Sequence, residues 1–256
     1  MFGRAAEIFA IRIGRSFDRW LGVLVGGESL TSQVELAYYV WLIRSVDGSL
    51  TVVDAAFSQQ AAHRRGISFF SPVAQALKEI SVEPSEVERV IVSHLHWDHA
   101  GDIDAFRNAR IHVSKREWEW TMRERELRRH LFSQLYDESA LQFLSELPNY
   151  RVHLMDGSFD VAPGVTMEVV GGHTPGHAVI HVGLKSSIDT VLLGDLGYLY
   201  SNILRREAPL LSFDPWGSVD AYDELAHGDG QLIPGHDPLI LDRLTERLSE
   251  NVAVLR

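Results

Sequence analysis

The distribution of apolar positions along the chain predicts strands first. Residues 7–13 and 34–43 are dense in β-branched and aromatic side chains, and each predicts a strand. Asp47-Gly48 is a turn signal between the second of these and a further strand at 50–53, so that pair reads as a hairpin. Pro72 opens a segment whose apolar positions Val73, Ala76, Leu77 and Ile80 have helical spacing, and 90–92 is a short apolar run of the buried-strand type.

After a strand at 111–113, Ser114 followed by Glu117 fits a capping box, and the next fifteen residues are crowded with charges of both signs. That pattern reads as the solvated face of a helix. Trp118, Trp120 and Met122, with Leu131, Phe132, Leu135 and Tyr136 after them, need a surface to cover: the core, a second subunit or a substrate pocket. Further on, strands are predicted at 151–154, 165–170, 179–184, 190–193 and 231–233, and helices at 219–226 and 239–248. Sheets and helices in both halves predict a layered α/β arrangement with two sheets face to face.

Composition narrows the class. The 256 residues, 45% of them hydrophobic, are enough for a sizeable core, and without linker-like stretches or repeats residues 1–256 are read as one domain. A net charge of -11 sets nucleic-acid partners aside. No cysteine is present, which excludes disulfides, thiolate metal sites and a cysteine nucleophile, so any metal must rest on His and carboxylates. No apolar run approaches the roughly 20 residues of a membrane span, and the expected compartment is the cytoplasm, with no membrane association.

The chemistry concentrates just after the strand at 90–92, in His94-Leu95-His96-Trp97-Asp98-His99. His94 and His96, two apart on extended backbone, point to the same side, while Asp98 and His99 come round after the turn to address a second point in space. Borderline metals such as zinc accept this mixture of imidazole and carboxylate.

This motif resembles the His-x-His-x-Asp-His signature of the metallo-β-lactamase superfamily, and the resemblance extends along most of the chain. Gly171-Gly172-His173-Thr174-Pro175-Gly176-His177 resembles the family's next histidine loop, Leu193-Gly194-Asp195 its bridging aspartate, Ile233-Pro234-Gly235-His236 its last ligand, and Val52-Val53-Asp54 its early structural aspartate. The fold this implies is an αββα sandwich, two mixed sheets flanked by helices, with the site at one edge. The resemblance assigns one metal to His94, His96 and His173 and a second to Asp98, His99 and His236, with Asp195 bridging. Two divalent ions about 3.5–4 Å apart, sharing a hydroxide, follow. Zinc is the first choice and manganese, iron or cobalt the alternatives. His177 is expected to support the site from outside the ligand set.

Departures discriminate among branches. Class B β-lactamases lack the bridging aspartate, flavodiiron proteins have Glu where His96 stands, and hydroxyacylglutathione hydrolases add a helical segment after the last histidine, where this chain has twenty residues. Ribonuclease-like members meet the charge objection. The chain is most similar to the N-acyl homoserine lactonase branch, in which a tyrosine three residues after the aspartate contacts the lactone carbonyl; Tyr198 holds that register, and Tyr200 is expected to face the same way. The implied activity is hydrolysis of a lactone or other small ester by a metal-bridging hydroxide, with N-acyl homoserine lactones, and hence quorum quenching, as one substrate class. Asp98 would be the proton carrier and Tyr198 the second catalytic group. Substrate contacts are expected from Trp97, Tyr200 and Phe132, and the acyl or ring substituent is expected to be selected by the loops at 57–70 and 118–136. The rival readings are a thioesterase or phosphodiesterase of the same fold, or a binding protein that keeps its metals. The apolar residues on the charged helix suggest a homodimer contact.

Overall fold

The computed structural model describes residues 5–123, 133–184, 189–228 and 230–256. Within them fourteen strands form two sheets. The first contains β1 (Ala5–Trp20), β2 (Gln33–Ser45), β3 (Leu50–Val53), β4 (Phe69–Phe70), β5 (Arg89–Val92), β6 (Arg110–Ser114), β7 (Val152–Met155), β13 (Glu246–Arg247) and β14 (Val252–Leu255). Its order is β13-β14-β1-β2-β3-β5-β6-β7, with β4 added on β1. The second runs β12-β11-β10-β9-β8, from β8 (Ser158–Ala162), β9 (Val165–Val169), β10 (Ala178–Val182), β11 (Thr190–Leu192) and β12 (Gln231–Ile233). Both are mixed: β3, β5, β6 and β7 run parallel and so do β11 and β12, while the remaining pairs are antiparallel.

Burial on both faces explains why the central strands read as continuous apolar runs. Along β2, Ala37, Tyr39, Trp41 and Ile43 point between the sheets, where Met167, Ile180 and Leu192 meet them, and Leu36, Tyr38, Val40 and Leu42 point outward. That outer face is covered by helices at Gln59–Arg64, Val73–Lys78 and Glu138–Glu146, through Ala61, Ala62, Val73, Leu77, Ala140 and Leu144. Across the second sheet, Val179, Val191 and Leu193 lie under Ala221 and Tyr222 of the helix Pro215–Ala226. The layers are therefore αββα. No helix among the described residues is long and apolar enough to cross a membrane.

Several elements differ from expectation. β1 continues to Trp20 because its far half, although polar, pairs with β2 as far as Gln33. β8 carries a polar, exposed first half, and the buried β14 is only four residues long, so neither announces itself by period. The helix expected over 239–248 is a single turn, Ile240–Arg243, because Leu244 enters the core between the sheets and the chain then pairs with β14. In the charged segment, Lys115–Trp118 is helical and Glu119–Arg123 forms a wider turn. Trp118, Met122 and Leu135 pack against the core and Tyr136 is buried in it, so these four do not supply the surface suggested for a dimer. Leu131 and Phe132, the latter expected to contact substrate, lie outside the described residues.

One half-buried acid is expected to tie folding to pH. Asp102 accepts the Val73 N–H at the start of its helix, and burial pushes its carboxyl up to about 6 against that hydrogen bond. A carboxyl whose folded pKa lies above the unfolded value favours folding when protonated, so this contribution is full below 3.8 and is lost as pH rises through about 6. Asp102→Asn keeps the acceptor and removes the charge. It should raise the unfolding free energy at pH 8 more than at pH 5, by about 1–2 kcal/mol; equal gains in calorimetric scans at both pH values would contradict the shift.

Candidate metal centre

The candidate ligands all follow strand ends at one edge of the sandwich. β5 stops at Val92, and Ser93 leads into His94 and His96; a short helix, Trp97–Ala100, then turns Asp98 and His99 back toward the same space. β3 ends beside it in Asp54, a non-glycine residue at φ 61°. Its carboxylate accepts the Ser93 N–H at 2.8 Å and the Ser93 hydroxyl at 2.9 Å, and lies 2.7 Å from His99 Nδ1. That left-handed strain is offset by three hydrogen bonds that fix the loop and the His99 ring. From the second sheet, β9 leads to His173, β11 to Asp195 and β12 to His236. Gly172, at φ 85°, must be glycine: a Cβ there would stand 2.4 Å from Ser218 Oγ.

The side chains meet in two groups. His94, His96, His173 and Asp195 offer donor atoms within 4.8 Å of one another, and so do Asp98, His99 and His236. His96 Nδ1 is 3.0 Å from His94 Nε2 and 3.1 Å from His173 Nε2. Asp195 spans the groups. Its Oδ1 is 2.8 Å from His236 Nε2 and 3.0 Å from His99 Nε2, and its Oδ2 is 3.3 Å from His173 Nε2 and 3.8 Å from His94 Nε2. Asp98 stands 3.8 Å from His99 and 3.9 Å from His236.

Electrostatics divide the groups in the same way. Burial drives His94 far below the usual imidazole range and His96 and His173 down to about 3, leaving neutral rings with free lone pairs. For His99 and His236 burial acts downward too, but Asp195 and its neighbours overturn it and raise both. Asp195 falls far below the carboxylate range because His99, His236 and His173 outweigh its own burial, whereas burial raises Asp98. A divalent cation fits this donor set. His99 Nε2 is buried with no hydrogen-bond partner despite its proximity to Asp195. The 3.0–3.1 Å spacings are close to the roughly 3.3 Å between nitrogens around a tetrahedral zinc ion.

The two tyrosines part company. Tyr198 stacks on His236 at 5.3 Å and meets His173 edge-on at 5.9 Å, and burial beside the Asp195 carboxylate raises its phenol well above the usual range. Tyr200 does not join it: a helix begins there, its N–H goes to Asp237, and its ring lies 4.0 Å from the Arg243 guanidinium. Trp97 also departs from expectation. The residue is 7% exposed and its ring packs between Phe57 and Tyr38, with Arg65 over its face, so it supports the loop. His177 is fully buried against His94 and His173, outside both groups.

A cavity of about 360 Å³ opens beside His96 and His173, with Trp120, Leu135, Tyr136 and Pro175 on one side and 210–213 on the other. Trp120, Leu135 and Tyr136 of the 118–136 region line it, Phe57 is core, and the wall at Leu210, Leu211 and Phe213 had no place in the sequence reading. The signal available for it was a cluster of large apolar residues between two helices.

Two sheets delivering two sets of imidazole and carboxylate donors to one edge define a metal-site protein of αββα class. The chain belongs to the metallo-beta-lactamase superfamily, whose family model matches residues 34–236. An N-acyl homoserine lactonase of Bacillus thuringiensis is 26% identical over 222 residues, covering 80% of this chain and 82% of the relative. Among solved structures, a quorum-quenching N-acyl homoserine lactone lactonase superposes with a TM-score of 0.78 at 22% identity, over 93% of this chain and 95% of that one. A dizinc quorum-quenching lactonase in complex with its product does so at 0.70 and 15% identity, over 94% and 90%. Both structures establish the shared fold.

Asp54→Asn tests the bracing of the site. The amide presents N–H groups where Ser93 and His99 need an acceptor, so denaturant unfolding of the metal-free protein should show a loss of about 1–3 kcal/mol. Unchanged stability would mean that the three hydrogen bonds do not brace this edge.

Proposed function

We propose that this chain is a metal-dependent lactonase that opens a cyclic ester to a hydroxy acid, with N-acyl homoserine lactones as its substrate class. The observation that carries this reading is the division of the Asp195 carboxylate, one oxygen toward His99 and His236 and the other toward His173 and His94. His94, His96 and His173 would hold one ion, Asp98, His99 and His236 the other, and Asp195 both. Bound there, two divalent ions supply a water of lowered pKa and polarise the ester carbonyl. Zinc suits the His and carboxylate donors, and the dizinc relative supports that choice.

The residues around the ligands supply the rest. Burial and Asp195 hold the Tyr198 phenol far above its usual range, so it keeps its proton and can donate to the carbonyl oxygen as negative charge develops there. Asp98, raised by burial, is suited to take a proton as water adds and to pass it to the ring oxygen as the C–O bond breaks. The cavity flanked by Trp120, Leu135, Leu210, Leu211 and Phe213 accommodates an apolar acyl substituent. The name of the Bacillus thuringiensis relative supports the same substrate class.

Acid release from acyl homoserine lactones of graded chain length, followed with a pH indicator on zinc-loaded and chelated samples, tests the reading. Chelator-sensitive turnover is expected; protein with two bound ions that opens no lactone would sink it. Tyr198→Phe should lower kcat about 100-fold with metal content unchanged, and Tyr200→Phe should stay close to the parent. The reverse ranking would mean that Tyr200 is the carbonyl contact. Asp195→Asn should reduce both bound metal, read by elemental analysis, and turnover; two retained ions with full activity would refute the bridge.

A further inference from the structure

Glu117 was expected to cap the charged helix, and only half of that pattern forms. Ser114 Oγ accepts the Glu117 N–H at 3.3 Å, but the Glu117 carboxylate turns into the protein, where the residue is 0% exposed. One carboxylate oxygen accepts the N–H of Leu95 at 3.1 Å and the other the N–H of Gly176 at 3.2 Å. Leu95 lies between His94 and His96, and Gly176 lies three residues after His173. One side chain thus spans the loops that present three imidazoles from two different sheets. The approach is close enough to dictate sequence: a Cβ on Gly176 would fall 2.1 Å from the Glu117 nitrogen and 2.6 Å from its Cα.

A carboxylate suits this place because both of its oxygens accept. A glutamine amide would satisfy one N–H and set its own N–H groups against the other, leaving a buried donor without a partner. Asp54 has the corresponding place beside His99, at the other group. We propose that Glu117 is a positioning residue that sets the distance between the His94–His96 loop and the His173 loop, and thereby governs metal affinity at that group selectively. This rests on the reading that the two groups each hold an ion.

The test separates the groups. His236→Ala leaves His94, His96 and His173 intact, and His173→Ala leaves Asp98, His99 and His236. Zinc affinity of each metal-free protein is measured by competition with a chromophoric chelator, with cobalt absorption as a second readout of ligand geometry. Adding Glu117→Gln should weaken zinc about 10- to 100-fold in the His236→Ala background and change the cobalt spectrum there; in the His173→Ala background both should stay as they were. Equal weakening in both backgrounds, or none in either, overturns the proposal. Should Glu117→Gln fail to fold, Ser114→Ala keeps the carboxylate but frees its backbone, and should give the same selective loss at smaller size; an unselective loss or none overturns it equally. A parent protein that binds no zinc would refute the metal reading itself.

Discussion

The Asp195 carboxylate is 2% exposed, and the site is organised around making that tolerable. Burying a lone carboxylate costs several kcal/mol, and here four imidazoles converge on its two oxygens. None of the four can be moved without leaving a buried charge underserved. The same convergence keeps His99 and His236 attached to one oxygen, while burial leaves His94 and His173 neutral beside the other and His96 neutral next to them. Asp195 therefore both requires the histidines and sorts them into two environments.

Holding charged and polar groups so close needs a stiff frame, which the double burial of the central strands provides. β2 is packed on both faces, and β3 and β5 send alternate residues into the two cores. Loops leaving such strands inherit fixed starting points, and Asp54 and Glu117 then hold them from outside the ligand groups. Those two acids belong to different strand ends of the first sheet, so the donors brought by the second sheet are docked onto an edge already braced.

Much of this was legible in the chain because its chemistry is local. Three histidines and an aspartate in six positions after an apolar run point to a ligand loop whatever the fold, and glycines beside His173, Asp195 and His236 mark the turns that the later loops need. Where reading failed, a long-range contact had overruled a local pattern. Ser114 and Glu117 satisfy a capping rule, yet the glutamate finds two buried N–H groups that are invisible in its neighbourhood of sequence. Tyr198 and Tyr200 have extended spacing, but the helix starting at Tyr200 and the pull of Arg243 separate them. Trp97, in the middle of the motif, looked available to substrate until Phe57, Tyr38 and Arg65 enclosed it.

The cavity and the metal centre share supports. Thr174 and Pro175, which line the cavity, are followed directly by Gly176, whose N–H is held by Glu117. On the opposite wall, Phe213 donates its N–H to the His173 carbonyl at 3.0 Å, and its ring meets Trp120 edge-on at 5.1 Å. Both walls are therefore attached to the loop that presents His173. Tyr198 in turn touches rings from both ligand groups, His173 and His236. Displacing the His173 loop would thus disturb the metal donors and the cavity walls together. The side chains of Leu210 and Leu211 are exposed on that wall and make no contact with Asp54 or Glu117, so the cavity can be reshaped there with both braces left in place.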